Sequence, residues 1–150
     1  MFTALALCAV GCTAAGEPLP AEGAVAHYDA VAEDLTAELS AQEWVLNPTQ
    51  RTVREEDGRC RYSPGVWEAE GTLAGVSGDG GWDEIAARLD PVLAEHGFED
   101  LGAPSRSGAL YSVSTHDGHG TELVLDEQGR LSLRGTLIDT ETCTESALGL

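Results

Sequence analysis

Trp82-Asp83-Glu84-Ile85-Ala86-Ala87-Arg88-Leu89-Asp90-Pro91-Val92-Leu93-Ala94-Glu95-His96-Gly97-Phe98 is the stretch whose reading decides the fold. Trp82, Ile85, Ala86, Leu89 and Leu93 recur at spacings of three and four, which predicts an amphipathic helix over 82–97. Asp83 and Glu84 stand in its first turn, where the helix dipole favours negative charge, and His96 and Gly97 stand at its end, where a cation and a C-cap glycine belong. Pro91 removes one backbone hydrogen bond and should bend the helix between 87 and 91.

Upstream, Tyr28, Val31, Ala32, Leu35 and Leu39 repeat the pattern and predict a helix over 26–41. The two runs superpose at an offset of 54, with Tyr28 on Trp82, Leu35 on Leu89 and Trp44 on Phe98, a register compatible with a duplicated unit. Strand-like sequence follows each helix. After the first come Thr52 to Arg54, a turn at Asp57-Gly58, Cys60 and Tyr62 alternating inward, a turn at Ser63-Pro64-Gly65 and a longer strand from Val66 to Ala74. After the second come Ala109, Tyr111 and Val113, a turn at Asp117-Gly118, Leu123 and Leu125, a turn over 126–129, and Leu131, Leu133 and Leu137. Short connections make antiparallel neighbours. The expected fold is therefore α+β: a single antiparallel β-sheet with two helices packed on one face, in the order helix, strands, helix, strands.

Residues 25–145 are long enough for one domain with its own core, followed by a tail over 146–150. Residues 12–24 are rich in small residues, proline and glycine and read as a flexible tether. Before them, the apolar run Leu7-Cys8-Ala9-Val10-Gly11-Cys12 resembles the lipobox of bacterial lipoprotein signal peptides. That resemblance implies a signal peptide over 1–11, removed on export, and a lipid on the Cys12 thiol that anchors the protein at the extracytoplasmic face of the cell membrane. Signal peptides run about 15 to 30 residues from a positively charged start. Residues 1–11 carry no Arg or Lys, so the true start is expected upstream of Met1. An apolar run this short does not span a bilayer, which takes roughly 20 residues as a helix.

The chain has no lysine, and its eight arginines face 26 acidic residues for a net charge of −18. Such a surface repels nucleic acid and anionic lipid alike, leaving a covalent lipid as the expected attachment. With Cys8 leaving in the signal peptide and Cys12 lipidated, Cys60 and Cys143 remain, and an exported domain with two cysteines is expected to pair them. Two free buried thiols are the alternative. No second pair of cysteines is present to build a zinc site.

The order of helix, Trp44, a strand with Cys60, a strand with Trp67, the helix from Trp82 to Phe98, hairpin strands and a final Cys143 resembles the LppA family of actinobacterial lipoproteins. The resemblance covers most of residues 26–145 and implies the lipid anchor and the Cys60–Cys143 pairing. It brings no catalytic residues.

Candidate chemistry is sparse. His116-Asp117-Gly118-His119, if Asp-Gly is a two-residue hairpin turn, would make His116 and His119 cross-strand partners able to share a metal ion. Two solvated histidines are the plainer reading, because a stable site needs a third or fourth ligand. Glu68 and Glu70 point the same way on a strand, as solvent-facing carboxylates commonly do in an acidic chain. No GxSxG, P-loop or GxGxxG motif occurs. No cofactor and no catalytic residue are assigned. The expectation is a non-catalytic binding or interaction domain of the envelope, taking a small apolar ligand near Val66 and Leu110 or an envelope protein partner; a structural protein without a ligand pocket is the alternative, and a metal-binding or hydrolytic enzyme the lesser one.

Overall fold

A computed structural model describes residues 16–150, and Cys8 and Cys12 lie outside the described residues. In chain order the elements are β1 (Leu19–Pro20), α1 (Ala24–Glu38), β2 (Trp44–Asn47), β3 (Thr52–Glu56), β4 (Arg59–Ser63), β5 (Gly65–Ala69), α2 (Trp82–Glu95), β6 (Ser105–Ser107), β7 (Leu110–His116), β8 (Glu122–Asp126), β9 (Arg130–Arg134) and β10 (Thr136–Asp139). Short 3-10 turns cover Pro48–Gln50 and Glu145–Leu148.

The strands form two sheets, which overturns the expected single sheet with two helices on one face. One sheet has four strands in the order β1-β10-β4-β3, and the other has six in the order β2-β5-β9-β8-β7-β6. The division has a local cause. Tyr62 stands opposite Thr136 and Gly65 opposite Leu133, so β4–β5 and β9–β10 keep one antiparallel register from the first sheet into the second. Pro64 has no N–H to donate to a ladder, and on the partner strand Gly135, across from Ser63, takes a left-handed φ of 80°. Ser63-Pro64-Gly65 is therefore a bend in a continuing strand, not a reversal. Arg51 fixes it: its Nε donates to the Pro64 carbonyl at 2.7 Å, while its guanidinium binds the Asp29 carboxylate on α1 and lies 6.0 Å from the centre of the Trp67 ring.

Period-2 alternation then fills the core. Leu123 and Leu125 on β8 face Leu133 and Leu131 on β9, and all four are fully buried. Val113 and Trp67 flank them from β7 and β5. Tyr28, Val31 and Leu35 of α1, Ile85, Leu89 and Leu93 of α2, and Tyr62 of β4 join the same cluster, so both sheets and both helices share one core. Trp82 is buried, and its indole N–H donates to the Gly78 carbonyl at 2.9 Å; that of Trp44 donates to the Leu39 carbonyl at 3.1 Å.

Both helices lie close to where periodicity puts them. Each follows a glycine at near-identical backbone angles, Gly23 and Gly81, and α2 continues through Pro91. Their starts are 58 residues apart, from Ala24 to Trp82. The 54-residue superposition therefore lays the second turn of α1 on the first turn of α2, and the case for a duplicated unit goes with it. The strand expected over 66–74 stops at Ala69, because its partner β9 begins at Arg130 and Gly71 turns the chain at φ 83°.

At the C-terminal end Cys60 and Cys143 form a disulfide with Cα atoms 5.3 Å apart. Leu148, beyond it, is buried in the shared core. The cross-link spans 83 residues of sequence, and by the chain-entropy argument a loop of that length restrains the unfolded chain by about 4 to 5 kcal/mol. Reduction, or the Cys60→Ser/Cys143→Ser variant, should lower unfolding stability by about 2 to 5 kcal/mol in urea titrations; an unchanged midpoint would show that the bond is absent or inert.

Candidate functional site

Three places on the molecule gather polar side chains. The first is the loop between β7 and β8. Its organiser is Asp117, whose Oδ1 accepts from the backbone N–H of His119 at 2.8 Å and of Thr121 at 2.9 Å, while its own N–H reaches the Thr121 carbonyl. The carboxylate can only accept, so Tyr28 Oη donates to Asp117 Oδ2 at 2.7 Å. With the Tyr28 proton committed there, Thr121 must donate to Tyr28, at 2.6 Å, and Thr136 to Thr121, at 2.7 Å. This chain ties α1, the loop and β10 together through the core. Burial and the neighbouring Asp117 carboxylate push the Tyr28 phenol well above its ordinary value.

Asp117-Gly118 is thus part of a five-residue loop and not the two-residue hairpin expected from sequence. His116 stands opposite Glu122 on β8, exposed on the outer face, and His119 lies in the loop with its Nδ1 2.7 Å from the Glu17 carbonyl. The two histidines are not cross-strand partners, and among the described residues no group of three His, Cys, Asp or Glu is placed to hold a metal ion. Glu68 and Glu70 are likewise separated. Glu68 pairs with Arg130 at 3.4 Å, and Glu70 lies past the end of β5.

The segment from Gly16 to Pro20 runs over this loop as a strap. Glu17 N–H donates to the Gly118 carbonyl at 2.8 Å, and Leu19 and Pro20 pair in parallel with Ile138 and Asp139. A Cβ on Gly16 would come 2.5 Å from the Gly120 nitrogen, so the close approach requires glycine. Residues 16–20, within the stretch read as a tether, lie against the domain.

The second place is around His27 on α1. Its ring packs edge-on to Tyr28 and lies 6.1 Å from that of His96, which is 2.7 Å from Asp34. His27 Nε2 is buried with no hydrogen-bond partner among the described residues. Burial lowers its pKa below the ordinary 6.5, His96 and His119 lower it further, and Asp117 opposes them.

The third place is the outer face of the bent ladder. Outward-facing residues of β3 and β4 put Arg54 directly opposite Arg61. Arg134 stands one sheet over, paired with Glu122 at 2.9 Å, and Arg61 donates to the Gly135 carbonyl. Arg54, Arg61 and Arg134 line a cleft of about 320 Å³ together with Glu56, Glu122 and His116, and Arg130 with Asp126, Val66 and Ser132 lines an adjoining one of about 430 Å³. The face around Val66, where an apolar ligand was expected, is therefore polar, with arginines and carboxylates side by side. The niche between Leu39, Leu73 and Arg88 holds about 210 Å³, below the roughly 300 to 1,000 Å³ of small-molecule pockets. The arginine clusters escape a reading by periodicity because outward positions carry no hydrophobic signal.

The fold so defined is a two-sheet α+β domain closed by a disulfide, and it has a counterpart among solved structures. The chain is similar to the crystal structure of LppA from Mycobacterium tuberculosis, a candidate lipoprotein, with a TM-score of 0.51 at 14% identity over 84% of this chain and 77% of that one. At that identity the likeness speaks for the fold. No family model matches the chain, and no curated protein matches it in sequence.

The position of His27 carries a pH dependence. A histidine whose native pKa is lowered binds fewer protons folded than unfolded, so stability is full above the unfolded value near 6.5 and falls as the pH drops through 6.5 toward the native value. His27→Gln should flatten that part of the profile in urea unfolding between pH 7.5 and 5; parallel profiles for variant and parent would refute the assignment.

Proposed function

We propose that the protein is an exported lipoprotein, lipidated on Cys12, whose domain acts as a non-catalytic binding or interaction module at the extracytoplasmic face of the cell membrane. The observation that carries this reading is the coincidence of a lipobox-like run at 7–12 with a fold similar to LppA. Three features support it further. The Cys60–Cys143 disulfide suits an oxidising compartment outside the cytosol. Among the described residues no helix is long and apolar enough to cross a membrane, so attachment calls for another device, and a thioether-linked lipid supplies one. The strap brings the chain to the domain surface at Gly16, a few residues after Cys12.

A binding role is supported over a passive one by two clefts on the outer sheet face, lined by paired arginines and carboxylates. Intact-mass measurement of the protein extracted from membranes should find a diacylglycerol added at Cys12 and residues 1–11 removed, with Cys12→Ala retaining the unmodified leader and leaving the membrane fraction. Wild-type protein without the added lipid mass would sink the proposal.

A further inference from the structure

Each sheet ends in two edge strands, and an edge strand presents backbone groups that another strand can take up. Three of the four edges are guarded. β1 is two residues long and contains Pro20, β3 carries Arg54, Glu55 and Glu56, and β6 is three residues with Arg106 at its centre. β2, Trp44-Val45-Leu46-Asn47, has neither charge nor proline, in a chain whose net charge is −18. Its Val45 side chain is 67% exposed, and the other exposed large hydrophobic among the described residues is Leu150.

The ladder fixes which backbone groups of β2 face outward. Ala69 N–H donates to the Gly129 carbonyl on the β9 side of β5, and Glu70 N–H donates to the Glu43 carbonyl on the β2 side. Alternation then turns the N–H and C=O of Val45 and Asn47 toward β5, and those of Trp44 and Leu46 toward the open edge, where no described residue bonds them. Two donors and two acceptors flanking one residue are self-complementary about a twofold axis. With the axis through Val45, antiparallel pairing of two copies sets Trp44 of each opposite Leu46 of the other and satisfies all of these groups. An axis at Leu46 would set Trp44 against Pro48, which has no N–H, and an axis at Trp44 would set Leu46 against Gln42, whose N–H is bound to the Leu39 carbonyl. The Val45 register also opposes no like charges, since Glu43 falls across from Asn47. We propose that β2 is a dimerisation edge, on which a second copy of this chain adds its own β2 in antiparallel register about Val45. The inference goes beyond the lipid-anchor reading and does not depend on it. Only short strands meet, so the dimer is a weak one that forms at high local concentration. The negative charge on both copies opposes it, and because charges are screened beyond about 8 Å at physiological ionic strength, added salt strengthens it.

The full chain carrying Cys8→Ser and Cys12→Ala tests the edge without lipid or stray thiols. In sedimentation equilibrium over about 10 μM to 1 mM, its mass should move from monomer toward dimer, and further at about 0.5 M salt. Val45→Glu sets like charges opposite each other across the axis and should weaken the dimer about tenfold. Val45→Lys should do the same, and an equimolar mixture of the two variants should restore association, which misfolded chains could not do. Val45→Cys should form an inter-chain disulfide under mild oxidation, because a pair without mutual hydrogen bonds brings its Cα atoms to about 4.5 Å, within disulfide range. Ser107→Cys on β6, at the opposite edge of the same sheet, should not. Growth past the dimer, association indifferent to Val45→Glu, no rescue in the mixture, or equal cross-linking at both cysteines overturns the proposal. So does a monomeric mass throughout, which would leave the edge to a strand of another protein.

Discussion

One interrupted ladder organises this protein. The pair β4–β5 against β9–β10 holds a single register through the point where Pro64 cannot donate and Gly135 adopts a left-handed turn, so the two sheets are joined by continuous backbone on both strands. Everything else is placed relative to that bend. The helices and the inward residues Tyr62, Leu123, Leu125, Leu131 and Leu133 fill one side. Arg51 reaches the bend's free carbonyl at Pro64 while holding Asp29 of α1, so the helix is tied to the exposed backbone that the interruption creates. The side chain of Arg51 is only 14% exposed, which makes this ion pair sensitive to loss of either partner in a way that surface pairs such as Arg54–Glu56 are not.

Much of the architecture is written in local pattern. Spacings of three and four locate both helices within a few residues, and Asp57-Gly58 forms the expected turn, with φ values of 53° and 72°. Asp126 begins the β8–β9 turn by accepting from Gln128 and Arg130. The two cysteines left after the lipobox assignment are bonded. What escapes is decided by more than neighbours in sequence. Proline between Ser63 and Gly65 looks the same in a reversal as in a bend, and only the partner strand's Gly135 settles which it is. Asp117-Gly118 has the composition of a hairpin turn, yet the carboxylate is worth more as a cap for two backbone N–H groups and as acceptor for Tyr28, a residue far away in sequence. β1, β2 and β6 are too short to carry a period.

The polar sites were the least legible for a related reason. Outward strand positions answer to no packing rule, so Arg134 comes beside Arg54 and Arg61, which share a hairpin far earlier in sequence, only through register. Composition alone describes a uniformly acidic surface. Folding pairs that charge, setting Arg130 beside Glu68 and Arg134 beside Glu122.

The strap and the cross-link also meet at one strand pair, which gives the domain a mechanical character. A pull on the chain ahead of Gly16 is transmitted through the Glu17 hydrogen bonds and the β1–β10 pairing into β10. The next strand, β4, is bonded covalently through Cys60 to Cys143, four residues after β10 ends. Tension entering at the N-terminal end is therefore met almost at once by a covalent closure around the C-terminal end. The strap can peel under load while the sheet behind it stays stitched, so residues 16–20 give way first and the disulfide is the stop.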